Sequence, residues 1–152
     1  DNVLLAEPAT SMAMRKTGSF PISLIAPDIY RSVNLQKEWG RVYGIESKIP
    51  QAGFALVGNL DKQIVERFNE EYSKSLNWYK SNPSLAGELV AKNIDFFTKE
   101  AVADSISHIQ LESKTAVESK KELYDFFQVL YETEPKLIGS KMPDANFIWN
   151  NQ

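Results

Sequence analysis

The clearest feature of the chain is a change in the spacing of its apolar positions near residue 60. Upstream, residues 3–6 and 54–57 are short, continuous apolar runs that end beside glycine, proline or polar residues. Runs of this kind predict buried strands, most simply in a parallel sheet. Downstream, apolar residues recur every three or four positions, as they do in an amphipathic helix. The pattern therefore predicts an α/β first part followed by a helical second part.

Local signals mark where the predicted helices begin and end. Gly18 and Gly44 are expected to end the first two helices, and Thr115 with Glu118 forms a capping-box sequence. The segment 20–26, around Pro21, predicts a strand or extended chain. The predicted helices are residues 9–16, 28–43, 61–80, a shorter one opened by Asn82 and Pro83, 98–106, and one opened by the capping box.

Two or three strands are too few to cover four amphipathic helices. Only two residues precede the first predicted strand, and the chain begins with Asp1 rather than methionine. We therefore expect that much of the fold lies upstream of residue 1. Exposed strand edges and apolar stripes favour association. The chain is accordingly expected to self-associate or to pair with the missing N-terminal half.

Composition narrows the classes of function. The net charge is −3 and no long basic cluster occurs, which argues against nucleic acid. The chain has no cysteine, so thiolate nucleophiles, disulfides and cysteine-ligated metals are excluded. Its only histidine, His108, has no ligand-spaced partners nearby, and a surface or capping role is favoured. We expect no catalysis, no cofactor and no bound transition metal.

Several short motifs occur in a distinctive order. They are the predicted strand followed by Glu7-Pro8-Ala9, then 35–39 (LQKEW), 49–53 (IPQAG), 135–139 (PKLIG) and 142–144 (MPD). In this order and spacing they resemble solute-binding proteins of ABC importers, in the branch that includes nitrate, sulfonate, taurine and thiamine-pyrimidine binders. The resemblance covers nearly the whole chain but matches only the C-terminal half of such a protein.

The resemblance implies a two-lobe α/β fold of the type II periplasmic-binding-protein class, closing around its ligand by hinge motion. Residues 1–50 would end the second lobe, 51–59 would be a hinge crossing, and 60–152 would return as helices to the first lobe. The implied function is capture of a small solute outside the cytoplasm, in the periplasm or lipid-anchored at the cell surface, for delivery to a membrane permease. The alternatives are an enzyme like thiamine-pyrimidine synthase, and a ligand-sensing input domain.

Four residues are candidates for binding the solute. Glu7 is predicted at the carboxyl end of a strand, where ligands bind in open α/β sheets, or it caps the following helix. Thr10 and Ser11 offer hydroxyl groups, although solvation or bonding within the helix is the favoured interpretation. Gln51 follows Pro50 at the predicted crossing, where it either faces the cleft or is a surface amide.

Overall fold

The computed structural model describes residues 2–46 and 48–149, of which 55% are helical, and these residues contain no strand. Three 3₁₀ turns, at Ile22–Leu24, Pro135–Ile138 and Ala145–Phe147, supplement the α-helices. The α-helices are α1 (Ala9–Thr17), α2 (Leu35–Tyr43), α3 (Lys62–Ser81), α4 (Pro83–Asn93), α5 (Lys99–Ile106) and α6 (Lys120–Thr133). No helix within these ranges is both long and apolar enough to cross a membrane.

Side-chain caps and a left-handed glycine explain several helix boundaries. The Asn34 side chain accepts a hydrogen bond from the backbone N–H of Lys37, so α2 begins at Leu35 and not at the predicted residue 28. Gly44 has a φ of 64° and ends α2, as predicted. Thr98 caps α5 by accepting from the backbone N–H of Ala101.

The predicted capping box is present. The Thr115 hydroxyl accepts from the Glu118 backbone N–H at 3.2 Å, and the Glu118 carboxylate accepts from the Thr115 backbone N–H at 2.8 Å. These bonds hold a turn, and α6 itself begins only at Lys120. The capping-box sequence therefore predicted the local hydrogen bonds correctly, but it placed the start of the helix too early in the chain.

The predicted α/β two-lobe fold of the type II periplasmic-binding-protein class is wrong for this chain. Neither apolar run forms a strand, and most of their large side chains lie at the surface: Val3 is 74% exposed, Phe54 69% and Val57 88%. The segment 20–26 contains a 3₁₀ turn instead of a strand. The physical reason is that a strand needs a second strand to accept its backbone hydrogen bonds, whereas an apolar run specifies only its own side chains.

The chain divides into two compact units, each built from two separate segments. The first unit comprises Asp1–Arg31 and Glu70–Ser113, and the second comprises Ser32–Asn69 and Lys114–Gln152. Residues 70–81 of α3 thus belong to the first unit and 62–69 to the second. The division into 1–50, 51–59 and 60–152 followed the resemblance and stays a prediction.

In the first unit, α4 packs closely on α5, and α1 packs against α5 as well. Small residues allow this approach, since Ala86, Ala101 and Val102 are completely buried. Gly87 of α4 lies so close to the backbone of Lys99, at the start of α5, that a Cβ atom at this position would clash with it. As a result, α5 is held in a defined position beside α1, where the candidate site lies.

In the second unit, aromatic side chains form the main contacts. The Trp39 ring lies 4.3 Å from the Tyr43 ring and 5.7 Å from the Phe126 ring. The C-terminal segment packs against α6, because the Phe147 ring lies 5.7 Å from that of Phe127.

Candidate functional site

A polar cleft lies in the first unit, beside α1 and α5. Its volume is about 280 Å³. It is lined by Ser11, Met14 and Arg15 of α1, Arg31, Asp104 of α5, and Ser107 and His108 just after α5. The cleft therefore draws on three parts of the chain that are far apart in sequence.

An ion pair between Arg15 and Asp104 connects the two helices at the cleft. The Arg15 Nε–H donates to one Asp104 oxygen, and Nη2 donates to the other at 3.0 Å. Both side chains remain about half exposed, at 48% and 43%. The hydrogen bond from Arg15 lowers the pKa of Asp104 below its usual value, partly opposed by burial, and the charges of Arg15, His108 and Arg31 lower it further. Asp104 is thus an ionised carboxylate surrounded by basic groups.

A second network joins Arg31 to the start of α1. Arg31 donates to Glu7 from Nε at 3.1 Å and from Nη2 at 2.6 Å, and Nη2 also donates to the Ser11 hydroxyl at 2.8 Å. Ser11 in turn donates its hydroxyl to Glu7 at 2.8 Å and its backbone N–H at 3.1 Å. Arg31 Nη1 lies 3.0 Å from the Met14 sulfur.

This network is more enclosed than the Arg15–Asp104 pair. The Glu7 side chain is 11% exposed, and Ser11 is 3% exposed. Burial by itself raises the pKa of Glu7, but the hydrogen bonds from Arg31 and Ser11 outweigh it, and the pKa of Glu7 is lowered. Glu7 therefore neutralises Arg31 and orients Ser11 at the wall of the cleft.

The remaining polar groups come from the turn after α5. The Ser107 hydroxyl donates to the backbone oxygen of Asp104 at 2.9 Å, so it is held within its own turn. The backbone N–H of His108 donates to the Ser105 oxygen at 2.9 Å, and the imidazole lies at the cleft. Within the described residues, no group of three or more His, Asp or Glu side chains is placed to hold a metal ion.

The structure separates the four predicted site residues. Ser11 lines the cleft, and Glu7 bonds both Ser11 and Arg31 there, although the strand predicted before Glu7 is absent. The Thr10 hydroxyl instead donates to the backbone oxygens of Leu5 and Ala6, at 3.2 and 3.4 Å, just before the helix, and its binding role stays a prediction. Gln51 is an exposed residue of the second unit, and its binding role stays a prediction.

Sequence reasoning missed Arg15, Arg31 and Asp104. Arg15 and Asp104 are 89 positions apart, and each looks like an ordinary charged residue on the solvent face of a helix. Arg31 was placed inside a helix that the structure begins only at Leu35. His108 was singled out, but as a surface or capping residue. No local signal marked Arg31, since Ile29 and Val33 around it are four positions apart, as they would be on one face of a helix.

The comparisons with known proteins identify no relative. No protein-family model matches the chain, and neither a curated protein nor a solved structure matches it. Function is therefore argued from the cleft itself.

Proposed function

We propose that this chain is a non-catalytic binding protein for a small polar solute, and that the cleft beside α1 and α5 is the binding site. The observation that supports this most is the exposed Arg15–Asp104 pair at the wall of a defined cleft. Small-molecule sites commonly present a few polar groups held on rigid elements. Here the groups stand on or beside packed helices.

The size of the cleft suits a small solute. Its volume of about 280 Å³ lies just below the roughly 300–1,000 Å³ of typical ligand pockets. The enclosed Glu7–Arg31–Ser11 network fixes one wall before any solute arrives. Preorganised polar groups lower the entropic cost of binding, so this wall supports a role in recognition.

The hydrogen bonds at the cleft favour binding over catalysis. A nucleophilic serine needs a base within hydrogen-bond reach. The Ser11 hydroxyl donates to Glu7, but the lowered pKa of that carboxylate makes it a weak base, and Ser11 is only 3% exposed. The Ser107 hydroxyl donates to a backbone oxygen, which cannot act as a base. Among the residues that the structure describes, no hydrogen bond joins the His108 imidazole to either hydroxyl. The enzyme alternative therefore has less support than the binding one.

The assignment to an ABC importer has less support than the binding role. It rests on the order of the sequence motifs, and the two-lobe fold that would explain a clamping mechanism is wrong. Delivery to a membrane permease, the extracytoplasmic location and the ligand-sensing alternative stay predictions. The binding proposal does not depend on them.

The proposal is tested by isothermal titration calorimetry of the 152-residue protein against small carboxylates, sulfonates, amines and amino acids. We expect at least one class to bind, and Arg15→Gln to weaken that binding about tenfold or more, because charge-assisted hydrogen bonds contribute about 1.5–3 kcal/mol. Arg41→Gln is the matched control: Arg41 is also paired with a carboxylate, that of Glu38, but lies in the second unit.

Two results would contradict the proposal. One is that none of these solute classes binds to protein whose helix content is intact by circular dichroism. The other is that Arg15→Gln and Arg41→Gln bind the solute equally well, which would place the site elsewhere.

A further inference from the structure

The two ion pairs at the cleft differ in how much of their hydrogen-bonding capacity is already used. Arg31 donates hydrogen bonds from Nε and Nη2 to Glu7 and Ser11, and its Nη1 lies against the Met14 sulfur. Arg31 and Glu7 are thus occupied by each other and by their neighbours. This pair forms a wall of the cleft.

The Arg15–Asp104 pair, in contrast, keeps much of its capacity open. Arg15 gives Asp104 its Nε–H and one Nη2–H, and no hydrogen bond reaches its Nη1 within the described part of the chain. An arginine has five N–H donors, and a carboxylate offers about four acceptor positions. Among the residues that the structure describes, Asp104 accepts side-chain hydrogen bonds from Arg15 only, so both partners can bind a further group.

The two ion pairs at the cleft balance in charge. Arg15 and Arg31 carry two positive charges, and Asp104 and Glu7 carry two negative ones. The open pair therefore presents a positive and a negative end side by side. A simple anion would be attracted by Arg15 and repelled by Asp104, and a simple cation would meet the opposite conflict.

From this arrangement we infer that the cleft binds a small zwitterion. Its carboxylate or sulfonate lies on the Arg15 guanidinium, and its ammonium group lies on the Asp104 carboxylate. The inference rests on the proposed function and names the class of solute. Such a ligand meets both ends of the exposed pair with opposite charge, and Met14 offers a flexible apolar contact for the carbon spacer between its charged groups.

The first test compares probes of similar size by titration calorimetry. β-Alanine carries both charged groups, propionate lacks the ammonium, and propylamine lacks the carboxylate. We expect β-alanine to bind about tenfold or more tightly than either, since each missing group removes one charge-assisted interaction. Glycine and γ-aminobutyrate are included to vary the spacer.

The outcomes separate this inference from the proposed function. If propionate or propylamine binds as tightly as the best of the three amino acids, the zwitterion inference is wrong while the binding proposal stands. If other solutes bind and none of the three amino acids does, the result is the same. If nothing in the full panel binds, the proposed function itself fails.

The second test reverses the preference. Asp104→Asn removes the negative charge that the ammonium group meets and releases Arg15, so β-alanine should lose about tenfold in affinity and propionate should gain about as much. Glu88→Gln is the matched control: it removes the same charge from α4, in the same unit, at an exposed residue that does not line the cleft. It should leave both affinities unchanged.

The gain in propionate binding is a positive readout that requires folded protein. A general loss of structure in Asp104→Asn therefore cannot imitate the expected result. The inference is overturned if Asp104→Asn binds β-alanine as tightly as the unmodified protein does, or if Glu88→Gln shifts the preference equally.

Discussion

The close approach of α4 and α5 at Gly87 gives the sharpest prediction about stability. In Gly87→Ala, the added carbon would lie 2.2 Å from the Lys99 backbone oxygen and 3.0 Å from its carbonyl carbon. Ordinary contacts to such a carbon begin near 3.4 Å, so the helices must separate by about 1 Å. The clashing atoms belong to the backbone and cannot rotate away. We therefore expect Gly87→Ala to destabilise the first unit.

Two opposing effects set the magnitude. Overpacking of a well-packed contact costs about 1–3 kcal/mol and occasionally more. Alanine is favoured over glycine inside a helix by about 1 kcal/mol, which offsets part of that cost. The separation also loosens the contacts of Ala86, Ala101 and Val102, all completely buried, and a gap of 0.5–1 Å forfeits about a quarter to a half of a dispersion contact. We expect a net loss of about 2 kcal/mol.

The assay is thermal and urea unfolding followed by circular dichroism. For a chain of this length, about 2 kcal/mol lowers the Tm by roughly 4–8 °C. Because the chain has two units, hydrogen exchange of the α4 and α5 amides should show that the loss is local to the first unit. Asp104 lies on α5, so the same displacement should also weaken solute binding at the cleft.

Gly53→Ala is the control, since a carbon added at Gly53 meets nothing within 4 Å and its φ lies outside the left-handed region. This variant should leave stability unchanged or raise it by about 0.4–1 kcal/mol. A Gly87→Ala protein as stable as Gly53→Ala would refute the packing of α4 on α5 described above.

Three further predictions concern the charged network and a helix cap. Glu7→Gln should destabilise by about 1–3 kcal/mol in urea unfolding, because Arg31 loses the charged acceptor of an enclosed pair, whereas Glu46→Gln, at an exposed pair, should change nothing measurable. The folded-state pKa values of Glu7 and Asp104 lie below their ordinary values of 4.5 and 3.8, so their stabilisation is present above those values. This stabilisation is lost as pH falls through the folded-state pKa values of the two carboxylates. Unfolding midpoints measured from pH 7 to pH 2 should show the decline, and Glu7→Gln should make it smaller. Thr98→Ala should cost about 1 kcal/mol by removing the cap of α5, and Thr98→Ser should restore most of it, as measured by thermal unfolding.

The helices could largely be predicted from the sequence. The apolar spacing predicted a helix over 61–80, and α3 spans Lys62–Ser81. Gly44 and the Thr115–Glu118 capping box also behave as their residue types suggest. The boundary at Asn34 was missed, because Ile29 and Val33 are four positions apart, a spacing that suits a helix, whereas the structure begins the helix only at Leu35.

The candidate site was predicted only in part. Glu7 and Ser11 were found because they stand at a recognisable start of a helix. No local pattern distinguishes the other charged residues of the cleft from solvated charges. These residues are Arg15, Arg31 and Asp104. Their importance depends on partners brought together by the packing of α1 on α5.

The amino-acid sequence was enough to specify the helices, because a helix closes its hydrogen bonds within a few residues of the same segment. It could not determine whether residues 3–6 and 54–57 would form strands, because a strand requires hydrogen bonds from another segment. The tertiary structure decided that question, and the described residues have no sheet. The packing of α1 on α5 also forms the cleft, since an ion pair between side chains 89 positions apart exists only where packing brings the two helices together.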